Sequence, residues 1–354
     1  MSDLRVNNIT NSNGNFGPVI AGVSTVASTG FMIMPSGNTE VRAGASGRGI
    51  FAGGYTPSSP NLSSTMNLIQ ISSTGNATDF GDIADAGSTG GTSNSLRGVF
   101  NYGDVPNSIV RMDYTILSSQ GGVSNFGELS FVTRDGPFGS GDNTRGILGG
   151  SAGGPNNMGG SPGRGVNFID YITFATTGES QRFGELTAAR RGVSSCSSPT
   201  RTVWGGGYIK PQNHTDTIDY VITQTFGNAI RFGELTVSRG HMGAVSSKVR
   251  GAWGGGSIYP GSSYTLYDTI DYVTLASIGQ AIDFGNLTTS KHFTTSTASN
   301  STRGVWGGSN TDPSTLNTIE FITIATTGNA TDFGDLTTLY YNGCGASDSH
   351  GGLG

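Results

Sequence analysis

Arg303-Gly304-Val305-Trp306-Gly307-Gly308, then Thr318-Ile319-Glu320-Phe321-Ile322, then Thr331-Asp332-Phe333-Gly334-Asp335-Leu336-Thr337 make up one unit of a repeat. The first piece is short, apolar and bounded by glycine, as suits a strand buried on both faces. The second alternates and is rich in β-branched and aromatic residues, the composition of a half-buried strand. Between it and the third lies Thr327-Gly328-Asn329-Ala330, a turn signal, since Gly and Asn tolerate positive φ. A polar, Ser/Thr-rich stretch, such as Ser290 to Ser301, reads as a fourth strand leading to the next arginine.

The unit recurs along the chain. Its Phe-Gly step stands at Phe80, Phe126, Phe183, Phe232, Phe284 and Phe333, separated by 46, 57, 49, 52 and 49 residues. The leading arginine keeps the same phase at Arg48, Arg97, Arg145, Arg201, Arg250 and Arg303. Trp204, Trp253 and Trp306 occupy one position of the unit, with Phe51, Phe100 and Leu148 in the other copies. No window shows convincing helical periodicity. Four short strands repeated six times at about 50 residues indicate an all-β, six-bladed β-propeller over residues 48–354. Leu336 to His350 has no arginine strand after it, so it is free to complete the first blade beside Arg48 to Gly54 and seal the ring, since an open ring would expose two edges.

Composition narrows the function. The chain has 354 residues, 59 glycines, 19 Lys plus Arg against 24 Asp plus Glu, and a net charge of −5. Only 12% of residues are charged, against roughly 25% in a typical soluble domain, so the surface is largely neutral and polar. The mild acidity speaks against a nucleic-acid partner. No stretch approaches the ~20 apolar residues of a membrane helix, so no membrane insertion is expected. Cys196 and Cys344 belong to no C-x-x-C pair and are either isolated thiols or one bridge.

Chemistry is expected to be absent: no enzyme, no cofactor, no metal. His214, His241, His292 and His350 fall in three different phases of the unit, and nothing in their spacing places them together. Gly149-Gly150-Ser151-Ala152-Gly153-Gly154 is followed by neither Lys-Ser/Thr nor a helix, which removes a phosphate-loop reading. The six in-phase arginines could ring one mouth of the channel for an anionic ligand. The alternative, which equal phase favours, is pairing with repeated acids (Asp170, Asp219, Asp271 and Glu320, or Asp82, Glu128, Glu185, Glu234 and Asp335) or with backbone carbonyls.

Binding is expected on the loops between the double glycine and the Ile-Asp-Tyr strand, which vary most between units and emerge on one face of a propeller. They carry the candidate ligand-binding residues Tyr55, Tyr208, Lys210, His214, Tyr259, Tyr264 and Tyr267. Exposed tyrosines offer flat apolar area and a hydroxyl at low entropic cost, which suits saccharide or protein surfaces.

The apolar run, double glycine, later tyrosine and further aromatic resemble the kelch repeat over about 300 residues, with Phe in place of the usual second Trp. Arg190, Arg239 and Lys291 stand seven residues after that Phe. Residues 1–47 lack the repeat anchors. Their Val6-Asn7-Asn8-Ile9-Thr10-Asn11, Asn13-Gly14 and Pro35-Ser36-Gly37-Asn38-Thr39 resemble the opening of virion structural proteins of tailed phages, particularly marine and cyanobacterial ones. The Thr-Gly-Asn-Ala-Thr-Asp-Phe-Gly units are similar to propeller proteins of such phages. The resemblance implies a non-enzymatic virion protein, multimeric in the particle, at the tail or capsid surface. It would be a tail-fibre or tail-tip component binding host-surface glycan or protein; a capsid decoration or head-fibre protein and an intracellular kelch-type adaptor are the alternatives. Residues 1–47, with Val19-Ile20-Ala21 and Phe31-Met32-Ile33-Met34 as apolar patches, form a short extended attachment segment toward other virion proteins, or else cover the propeller's edge.

Overall fold

A computed structural model describes residues 24–25, 32–33, 47–57, 62–87, 89–102, 110–131, 137–153, 165–209, 213–260 and 263–353. Among these there is no helix, and so none long and apolar enough to cross a membrane. Six antiparallel four-stranded sheets stand as the blades of a β-propeller, with three two-stranded ribbons besides. The fourth blade is typical: Ser194–Ser197, Arg201–Gly205, Thr217–Ile222 and Ile230–Glu234, from the central channel outward. The Ser/Thr-rich strand of one repeat unit is thus the innermost strand of the next blade. The first blade takes its inner strand, Cys344–Ser347, from the far end of the chain. That strand lies antiparallel to Arg48–Ala52, with Ser347 opposite Gly49 and Cys344 opposite Ala52, so the ring closes as the sequence implied. Of the 1–47 segment, only the ribbon Ser24–Thr25 with Met32–Ile33, and Gly47, belong to the described residues. The attachment segment otherwise lies outside them.

Among the described residues the hydrophobic core is not one body but six, each shared by two neighbouring blades. Cys196, Val203, Ile218 and Phe232 of the fourth blade pack with Met242, Trp253, Val273 and Leu275 of the fifth. Trp204, Trp253 and Trp306 are buried to 1% exposure or less. A glycine of the preceding blade makes room for each. A Cβ on Gly149, Gly205 or Gly254 would come within 3.1 Å of the facing indole. Where the aromatic is the smaller Phe100, the facing position is Ala52, in the same core. Phe51 still faces a glycine, since a Cβ on Gly307 would come within 2.8 Å of its ring.

At the outer rim the Phe-Gly step is itself a joint. Each of its phenylalanine carbonyls accepts the N–H of a turn glycine in the next blade, from Phe80 to Gly121 at 2.9 Å round to Phe333 and Gly75 at 2.8 Å. The glycine that follows has no space for a side chain. A Cβ at Gly81, Gly127, Gly184, Gly233, Gly285 or Gly334 would lie 1.9–2.5 Å from that turn glycine's carbonyl oxygen.

The six arginines form clasps rather than a cationic mouth. Arg48, Arg97, Arg145, Arg201, Arg250 and Arg303 each donate to a backbone carbonyl of the following blade, for example Arg201 Nη1 to Leu275 O at 2.7 Å. Five of them also lie over an aromatic ring of their own blade, 4.5–5.3 Å from its centroid. Three of the repeated acids serve a second basic series instead. Asp219 pairs with Arg190 at 2.7 Å, Asp271 with Arg239 at 2.8 Å, and Glu320 with Lys291, all buried. In the first blade the acid's place is taken by Asn67 and the base's place by Tyr340, so charge disappears from both sides together. The acids also reach across a blade joint: Thr187 donates to Asp219, Thr236 to Asp271, and the Thr288 N–H to Glu320.

The base of the channel is hydroxyl-lined and closed. Ser93, Ser197, Ser246, Ser299 and Ser347 hold equivalent places on five inner strands, and Gly141 the sixth. They link blade to blade: Ser93 Oγ donates to Ser347 O at 2.9 Å, Ser347 Oγ to Ser299 O at 2.5 Å, and Ser197 Oγ to Gly141 O at 2.8 Å. The chain then turns under them. The Gly351 N–H donates to Ser246 O, His350 Nε2 bonds Ser93 O at 2.8 Å, and Leu353 is buried at 4% exposure. Above this strap remains a polar chamber of about 50 Å³. Cys196 and Cys344 are separate buried thiols, not a bridge.

Candidate functional site: the open mouth of the propeller

At the other end of the channel the chain must pass from the outer edge of one blade to the axis of the next. Four such passages are described, and each uses the same three steps. The first residue is buried: Arg190, Arg239, Lys291 or Tyr340. The second makes an antiparallel bridge to the loop after the double glycine: Arg191 with Tyr208, Gly240 with Ser257, His292 with Asn310, and Tyr341 with Tyr55. The third takes left-handed backbone, with φ of 62° at Gly192, 57° at His241, 53° at Phe293 and 58° at Asn342. Only glycine adopts that conformation freely; other residues in it cost about 1 kcal/mol or more, and bulky ones are uncommon there.

These passages surround a cavity of about 430 Å³. Its lining includes Tyr55, Tyr264, Phe293 and Tyr341, with Arg191, Asn310 and Asp312 as polar groups. The rings touch in sequence. Tyr55 stacks on Tyr341 with centroids 5.5 Å apart, and Tyr341 lies 5.6 Å from Phe293. Phe293 lies 4.6 Å from His241, and Tyr264 4.6 Å from His292. Burial, reinforced by the Arg191 guanidinium, pushes the His241 imidazole well below the ordinary histidine range. Burial likewise lowers His292, to about 4. Both are neutral rings at neutral pH. Burial raises the Tyr264 and Tyr341 hydroxyls, which stay protonated.

The tyrosines singled out from the sequence divide into three groups. Tyr55 and Tyr264 line the cavity, and Tyr259 packs on Tyr264 at 5.0 Å. Tyr208 and His214 form a separate pair 5.2 Å apart, with Arg191 5.0 Å over the tyrosine ring. Tyr267 sits at the root of its hairpin, where its backbone bonds Gly256 and Lys291. Lys210 lies outside the described residues. Sequence reasoning missed Arg191, His241, His292, Phe293, Tyr341 and Asn342. Their signal is positional: they stand eight or nine residues after a repeat phenylalanine.

One contact has the look of catalytic machinery. His292 Nδ1 lies 3.1 Å from Ser257 Oγ. Ser257 is fully buried, so its hydroxyl meets no substrate, and an imidazole of pKa about 4 is a weak base. Among the described residues, no group of three or more His, Cys, Asp or Glu side chains could hold a metal ion.

No family model matches the chain, and no curated protein matches it. Solved structures do. One, titled "Structure of YjhT", aligns with a TM-score of 0.61 over 76% of this chain and 91% of its own, at 11% identity. The likeness is one of architecture. In all, 255 chains of known structure match, so the fold is common and says little by itself about what is bound.

Proposed function

We propose that the chain is a non-enzymatic virion protein of a tailed phage, a kelch-like propeller that holds its mouth toward a host-surface glycan or protein. Residues 1–47 attach it to other virion proteins, most simply in the tail fibre or tail tip. The observation that carries the binding half is the mouth itself. A concave site of about 430 Å³ falls within the ~300–1,000 Å³ of ligand pockets and combines flat rings with polar side chains, among them Arg191, Asn310, Asp312 and Asn342. The virion half rests on the sequence resemblance of the repeat units and of residues 1–47.

Replacing Tyr259, Tyr264 and Tyr267 together by Ser tests the division of labour. Adsorption to host cells should fall while incorporation into particles is unchanged. Normal adsorption by that variant would remove the mouth from the receptor-binding role. Gold-labelled antibody on intact particles separates a tail position from a decoration of the head.

A further inference from the structure

We infer that the mouth takes a neutral saccharide, stacked on the strip formed by Tyr55, Tyr341 and Phe293 and hydrogen-bonded at its edge by Asn310, Asp312 and Arg191. The inference rests on the reading of the mouth as a binding site and names the ligand's chemistry. Three observations carry it.

The first is the left-handed backbone. The fold accepts glycine at this step, as Gly192 shows, yet the next three passages place His241, Phe293 and Asn342 there. Nothing in the passage itself requires a side chain. Strained conformations persist where the surroundings hold them, and they cluster at ligand sites. Phe293 is the clearest instance, a bulky residue at φ 53° that ends the aromatic strip, between Tyr341 and His292.

The second is charge. His241 and His292 are held neutral, and the lining carries one guanidinium and one carboxylate, Arg191 and Asp312. Neither an anion nor a cation is singled out. A pyranose is neutral, has a flat C–H face to lay on a ring, and carries equatorial hydroxyls that suit amide, carboxylate and guanidinium partners.

The third is the backbone around the cavity. An extended peptide binds by adding a strand to an open edge. Here the rim is already bridged at Tyr55–Tyr341, Arg191–Tyr208, Gly240–Ser257 and His292–Asn310.

The test uses the full chain and a panel of methyl pyranosides of glucose, galactose, mannose and N-acetylglucosamine, followed by saturation-transfer NMR and titration calorimetry. At least one should bind the wild-type protein. Phe293→Gly should weaken it tenfold or more while the protein still melts cooperatively, because relief of the backbone strain offsets part of the lost ring packing. Phe293→Tyr should retain binding. No binding of any glycoside to the wild type, or unchanged binding by Phe293→Gly, overturns the inference. If the triple tyrosine variant loses adsorption while no glycoside binds, the receptor-binding reading stands and the saccharide falls. If adsorption is also unaffected, both fall.

Discussion

The two ends of the channel are built from the same repeat and have been put to opposite uses. At the base, equivalent positions keep equivalent residues: five serines in a ring bond blade to blade, and the strap at His350 to Leu353 lies across them. At the mouth, equivalent positions diverge into Gly, His, Phe and Asn, or into Arg, Gly, His and Tyr. The difference follows from what each residue touches. A base serine bonds two blades, so a change there loosens a joint. A mouth residue beyond the bridge faces the cavity, so its side chain can change with little effect on the ring.

This contrast predicts how damage should grade through the molecule. Deleting residues 344–354 removes the first blade's inner strand and the strap together. It should abolish cooperative melting and solubility, because the edge of Arg48–Ala52 is left unpaired. A truncated protein that melts like the full chain would mean the ring does not depend on closure. Trp253→Ala empties the joint between the fourth and fifth blades. A loss of roughly 3–5 kcal/mol is expected from denaturant titration, and a loss under about 1 kcal/mol would place stability elsewhere than the joints. The smallest effect concerns the mouth histidines. The folded protein holds His292 at about 4, below the 6.5 of the unfolded chain, so the native state binds fewer protons in that window. Its contribution is fully present above pH 6.5 and declines as pH falls toward 4. His292→Gln should flatten the fall in melting temperature over that range, and an unchanged slope would assign the acid sensitivity to other groups.

Most of the ring was legible in the sequence, because a propeller joint repeats whatever makes it. The tryptophan series, the Phe-Gly series and the closing strand are all joint elements, and their constant phase exposed them. The arginines were legible as structural but not as to partner, since carbonyls leave no mark in sequence. Three of the repeated acids, Asp219, Asp271 and Glu320, serve Arg190, Arg239 and Lys291, whose offset from the phenylalanine was visible without its meaning. The mouth was legible only in part. Tyr55 and Tyr264 could be reached by looking for exposed aromatics on loops, but Phe293 and His241 sit in short passages whose residue types differ from one unit to the next. Similarity finds a repeat, and the mouth lies where similarity stops.

The closing strand has a consequence for how the protein is made. The Arg48 N–H donates to Asp348, a partner 300 residues away, beside the strand pairing of the first blade. Five blades can form in order as the chain emerges from the ribosome, but the first remains three-stranded until synthesis reaches Ser347. Contacts of such separation are slow to find. From the completion of that strand until it docks, an unpaired edge and a loose complementary strand coexist on the same molecule. A neighbour's strand fits the gap as well as the chain's own, so crowding at this stage favours exchange between copies and linked, swapped rings over closed monomers.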